Sequence, residues 1–234
     1  MLLQDHFHPP LASVRHWHSF HHAWAVYLSA HLNQTLPRGY FAEPKVQFGM
    51  EVDVAALEEP ARSEVGPEPT GWIPPPPELV TPCALTSERV EITVFREEGG
   101  PTLAAAVELV SPGNKDRPAA RQAFVSKCAA YLQAGAGLAV VDVVTSRAGS
   151  LHQELLTRLA TPSVSELDRD LVATSYRPVL VGGDPHLEVW QRDLAVGKEL
   201  PILPLWLPGG VAVPLDLAAT YERTCREQGL SRAA

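Results

Sequence analysis

Apolar residues recur at helical spacing from residue 14 to residue 36. Trp17, Phe20, Trp24, Leu28 and Leu32 share one face, and Pro37 closes the run. The pattern then changes to short alternating or continuous apolar stretches. "GYFAEPKVQFGMEVDVAAL" predicts two strands up to Leu57, broken near Phe48-Gly49, and "RVEITVF" and "TLAAAVELV" predict two more. A helix is expected from about Pro118 to Gln133, with Asp116 as its cap and Gly135 and Gly137 as its stop. "LAVVDVVTS" reads as a strand and residues 151–160 as a second helix. Further strands follow near Ala173–Leu180 and Leu187–Gln191. The hairpin "LPLWLPGGVAVPL" turns at Gly209-Gly210, and a last helix covers about Leu215 to Glu227. Residues 59–82 break the pattern. They are rich in Glu and Pro and predict an extended surface insertion. This order of elements predicts an α/β fold, a mixed sheet flanked by helices, as one domain with that insertion and a C-terminal strand–helix extension.

Against this pattern three carboxylates stand out. Asp53 in "MEVDVAAL", Glu108 in "AAAVELV" and Asp142 in "LAVVDVV" each sit mid-strand among apolar neighbours. A buried ionised carboxylate must be paired, hydrogen-bonded, protonated or bound to a cation. One such residue can be a structural ion pair. Several on neighbouring strands form a cluster of like charge that calls for a cation, and hard oxygen ligands select Mg²⁺ or Mn²⁺. For Asp142 the plainer expectation is that it faces a helix or caps the sheet edge. Lys127 borders the helix face shared by Phe124 and Tyr131, from which its ammonium reaches the carboxylates or its stem extends to solvent. In "SPGNKDRP", Asn114, Lys115 and Arg117 are candidates for phosphate contact. The alternative is a turn that ends a strand and caps a helix.

Composition narrows the classes. The 234 residues carry 19 basic and 27 acidic side chains, a net charge of −8. That gives no long-range attraction to nucleic acid, so contact with DNA requires a local cluster of cations. The three cysteines form no CxxC pair, which suits reduced thiols in a cytoplasm. The N-terminal segment has no long apolar core of the signal-peptide kind, and no apolar run reaches membrane-spanning length. Six histidines crowd residues 6–22. His18 and His22, four apart, are a conceivable zinc pair without an evident third ligand; a polar helix face is the expected role.

The set Asp53, Glu108, Ser111-Pro112, Lys127, Tyr131 and Val141-Asp142 resembles the PD-(D/E)xK nuclease-like superfamily. More narrowly, "VELVSPGNKDRPAARQAFVSKCAAYL" is similar to the "IE-x-x-SP-x-NK" segment and following lysine-bearing helix of a bacterial family known as domain of unknown function 4058. The opening "DHFHPPL" and the later "SYRPVLVG" and "LPILPLWL" extend the resemblance over most of the chain. The Uma-two-type restriction endonuclease-like proteins show the same order of motifs. The resemblance implies a restriction endonuclease-like core in which Asp53 and Glu108 hold Mg²⁺ or Mn²⁺ and a lysine stabilises developing charge during phosphodiester hydrolysis, with DNA as the partner. Ser111, Asn114, Lys115, Arg117 and Tyr131 would line the substrate side. Val52 stands where the superfamily has Pro, and Val110 where it has Lys, so Lys127 takes the lysine's part. A non-catalytic module that binds nucleic acid or a protein partner, and a scaffold with ion-paired acids, are the competing expectations.

Overall fold

The structure, a computed structural model, describes residues 1–47, 51–58, 71–84, 102–161 and 171–230. The expected strand "RVEITVF" and residues 59–70 of the insertion lie outside the described residues.

Helix α1, Trp17–Thr35, buries Phe20, Trp24, Leu28 and Leu32, the apolar stripe visible in the sequence. It leads into strand β1, Tyr40–Gln47, which pairs antiparallel with β2, Glu51–Glu58. Strand β3, Leu79–Pro82, follows, and then β4, Thr102–Leu109. A four-residue helix α2, Pro112–Lys115, precedes α3, Pro118–Gln133. Strand β5 spans Gly137–Asp142 and helix α4 spans Leu151–Arg158. Strands β6, Val172–Val181, and β7, Asp184–Asp193, form a long hairpin. Strands β8, Ile202–Leu207, and β9, Val211–Asp216, form a separate two-stranded sheet, and α5 covers Leu217–Glu227.

Among the described residues the main sheet has seven strands in the order β1-β2-β4-β5-β6-β7-β3. Of these strands β4 and β5 run parallel, joined across α3; the other pairings among the described residues are antiparallel. The fold is therefore mixed α/β with helices on both faces. One core cluster gathers α1, α5, the β8–β9 hairpin and Val54, Ala56, Val107 and Leu109. The other gathers α3, α4 and Ala55, Leu57, Ala106, Leu138 and Val140. Neighbouring residues of one strand thus serve opposite cores, as the pleat requires. Among the described residues no helix is long and apolar enough to cross a membrane.

Two expectations change. The insertion is not only a surface strap. Leu79–Pro82 adds to β7 as an edge strand, and the Trp190 indole N–H donates to the Pro75 carbonyl at 2.7 Å, which pins the proline-rich chain. Asp116 does not cap α3. The N-cap is Arg117, without a side-chain cap bond, and Asp116 instead meets the guanidinium groups of Arg117 at 3.8 Å and Arg147 at 3.4 Å. Pro118 at the first helical position removes one of the unpaired N–H groups at the start of α3.

Candidate functional site

Strands β2 and β4 pair with Val54 opposite Val107, and the next step of the same register brings Asp53 beside Glu108. By alternation Asp53 belongs with Ala55 and Glu108 with Ala106, the set that faces the α3-side core. The two acids therefore share a face. Both are buried, Asp53 at 9% exposure and Glu108 at 1%.

Each carboxylate is held differently. Asp53 Oδ2 accepts the Leu109 backbone N–H at 2.9 Å and lies 3.3 Å from His21 Nε2. Glu108 Oε2 accepts from the Lys127 ammonium at 2.7 Å. Tyr131, fully buried on α3, presents its hydroxyl to the same carboxyl group. Glu108 Oε1 is buried and has no hydrogen-bond partner of good geometry. Burial pushes the Glu108 carboxyl up, to about 7. Lys127 pulls it down, Asp53 pushes it up, and the bonds from Lys127 and Tyr131 add a smaller downward pull. Burial works against the Lys127 ammonium, but the Glu108 carboxylate outweighs it and the pKa of Lys127 moves up. The phenol of Tyr131 and the thiol of Cys128 are both raised, first by burial and then by Glu108, so neither serves as a ready nucleophile.

Helix α3 supplies Lys127 because its Phe124–Tyr131 face packs on the sheet; the ammonium also lies 5.3 Å from the Phe124 ring centre. The turn after β4 is closed by Ser111 and Asn114. The Ser111 N–H and hydroxyl donate to Asn114 Oδ1 at 2.8 and 2.9 Å, a reciprocal cap that starts α2. Ser111 and Asn114 line a cleft of about 310 Å³ together with Asp53, Glu108, Leu109 and Lys127. Its remaining wall comes from α1, through Trp17, His18, His21 and His22.

Not every candidate reaches the cleft. Lys115, expected to touch phosphate, is 2% exposed, and its ammonium meets Asp142 Oδ2 at 2.9 Å. Asp142 sits one strand away on β5 and also accepts the Val144 N–H at 3.0 Å. The three-acid cluster is thus two acids, plus a separate buried ion pair. The reason is placement: Asp142 ends β5, where the lysine that closes the turn after β4 meets its charge. Arg117 is largely exposed and pairs with Asp116. Tyr131 supports Glu108 from beneath rather than lining the cleft.

The α1 wall was not expected. His21 Nε2 lies 2.9 Å from the Leu109 carbonyl oxygen, and the His18 and His22 rings touch at a tilt, with centres 4.1 Å apart. The histidine run was the available signal, but its companions are acids far away in sequence. His6, by contrast, is core. Burial lowers it to about 4, and its Nε2 meets the Tyr221 hydroxyl at 2.7 Å.

Compared with protein-family models, curated proteins and solved structures, the chain matches none. What fold and site define is a mixed α/β protein with a buried acid–lysine–histidine cluster at one end of its central strands.

Proposed function

We propose that this cleft is the active centre of a Mg²⁺- or Mn²⁺-dependent phosphodiesterase, a nuclease of the PD-(D/E)xK type acting on DNA. The observation that carries the reading is the meeting of Asp53, Glu108 and Lys127 in one partly buried cleft. An Asp on one strand and a Glu on its neighbour is the arrangement that the sequence resemblance implies.

The donor set suits a hard cation. Two carboxylates face the same cleft, and Glu108 Oε1 is an orphaned buried acceptor. Among the described residues no group of three or more His, Cys, Asp or Glu forms a complete ligand set. Mg²⁺ characteristically takes one or two carboxylates and keeps several waters, so two acids are compatible with it. When bound, such a cation supplies Lewis-acid charge for hydrolysis of a phosphodiester. The rest belongs to the chain. The Leu109 N–H orients Asp53. Lys127 offers positive charge where negative charge develops in the transition state. Tyr131 steadies Glu108. Ser111 and Asn114 shape the rim.

A specific observation favours a second reading. Lys127 and His21 already satisfy much of the acids' charge, as they would in a nuclease-like module that binds nucleic acid or a protein partner without turnover. The two separate in one assay series. With Mn²⁺ the purified protein is expected to nick DNA, Asp53→Ala to abolish nicking, and Lys127→Ala to slow it by about two orders of magnitude or more. Millimolar Mn²⁺ is expected to raise the melting temperature of the wild type but not of Glu108→Gln. Equal residual cleavage by wild type and Asp53→Ala would make the activity a contaminant and leave the binding module standing.

A further inference from the structure

The Leu109 carbonyl can only accept a hydrogen bond, so at 2.9 Å the His21 Nε2 must carry a proton. That N–H also faces Asp53 Oδ2, 3.3 Å away. One imidazole nitrogen thus lies within 3.3 Å of two oxygens of the cleft, a carboxylate and a backbone carbonyl, which are both hard donors of the kind a divalent cation takes. Helix α1 places it there. His21 lies one turn after Trp17 and is held at 9% exposure between the packed Phe20–Trp24 stripe and the end of β4.

We infer that His21 acts as a built-in stand-in for the cation: its N–H and a divalent ion compete for Asp53 Oδ2 and the Leu109 carbonyl, so that loading the site requires His21 to leave. This rests on the phosphodiesterase reading, because it presumes that Asp53 holds a cation. The contact has a structural use. It adds a second partner beside the Leu109 N–H for the buried Asp53 carboxylate and satisfies the Leu109 carbonyl in the unloaded protein, where burying either oxygen with fewer partners is costly. The consequence is that cation affinity is set by the difference between two occupants. Removing the N–H is expected to tighten cation binding, the opposite of what loss of a ligand does.

The test is Mn²⁺ titration of the whole chain, read by the loss of the free-ion electron paramagnetic resonance signal, which needs no turnover. His21→Ala and His21→Leu are compared with wild type; the leucine keeps side-chain volume without an N–H, and thermal melts verify that each variant folds. Both variants are expected to bind Mn²⁺ at least tenfold more tightly than wild type. Equal or weaker binding by the variants, with clear binding by wild type, overturns the inference alone and makes His21 a bystander or a ligand. No Mn²⁺ binding by any of the three overturns both this inference and the phosphodiesterase reading.

Discussion

Glu108 is the more deeply buried of the two acids in the cleft. Its carboxyl is moved from an ordinary 4.5 to about 7, first by burial. The folded protein therefore holds this proton more tightly than the unfolded chain does. The resulting stability is complete below about pH 4.5 and declines as the pH rises toward 7, by roughly 3 kcal/mol in all. Urea denaturation of wild type and Glu108→Gln between pH 4.5 and 8 is expected to show the gap closing or reversing in favour of the variant at the alkaline end. A constant difference across that range would count against a raised Glu108. His6 and His152 act with the opposite sign. Burial lowers both to about 4, so their contribution is lost as the pH falls from 6.5 toward 4. The wild-type profile contains every shifted group, and the difference from Glu108→Gln isolates the carboxyl. The buried Lys115–Asp142 pair shows why burial alone does not mark a site. It has a short partner for its charge at 2.9 Å and does not line the cleft of Asp53 and Glu108.

Among the elements, those with a strong period were legible in the sequence. Helix α1 carries its stripe at Phe20, Trp24, Leu28 and Leu32, and α3 runs over the expected Pro118–Gln133. The β8–β9 hairpin turns at the expected glycine pair. The acids Asp53 and Glu108 were legible as candidates because charge interrupts apolar strands. Three things were not legible. Edge strand β3 lies in a proline-rich stretch whose pairing depends on β7, more than one hundred residues away. Asp142 reads like Glu108 in sequence, and only tertiary placement assigns it to Lys115. His21 approaches Leu109 from 88 positions earlier, a contact no local pattern encodes. Gly137 is another case of non-local cause. Expected only to stop a helix, it opens β5 where a Cβ would overlap the Trp206 carbonyl of β8. Gly135, at φ +82°, is the residue that ends α3 by adopting the left-handed conformation. Gly137→Ala is expected to destabilise the protein by about 1–3 kcal/mol through forced backbone shifts between β5 and β8, whereas Gly113→Ala, with only the Ser111 hydroxyl 3.6 Å away, is expected to cost less. Thermal or urea denaturation of the two variants decides the ranking.

At the scale of the whole molecule the cleft depends on the far end of the chain. Helix α1, which carries the histidine wall, packs on α5. The Trp24 indole donates to Thr220 Oγ1 at 3.1 Å, and Tyr221 packs against Phe20 and Trp24 with ring centres 5.3 Å from each. Tyr221 also bonds the Gln4 N–H at 3.0 Å and faces His6 at 2.7 Å. Tyr221→Ala is expected to cost about 3–5 kcal/mol, in the range for deleting a large buried aromatic. It is also expected to raise hydrogen exchange along α1, including the backbone near His21, although residue 221 lies outside the cleft. Unchanged exchange in α1 would show that the helix stands without α5.

This coupling sets an order of events during biosynthesis. A ribosome delivers α1, β2, β4 and α3 in turn, so Asp53, Glu108 and Lys127 can meet while the chain is still being made. The partner that seats α1 emerges about two hundred residues after Trp24. Until then the nascent protein carries its acids and lysine without a firmly seated histidine wall. The cleft is therefore finished late, and a chain cut short before Tyr221 would keep the acidic strands but lose the support that holds His21 against them.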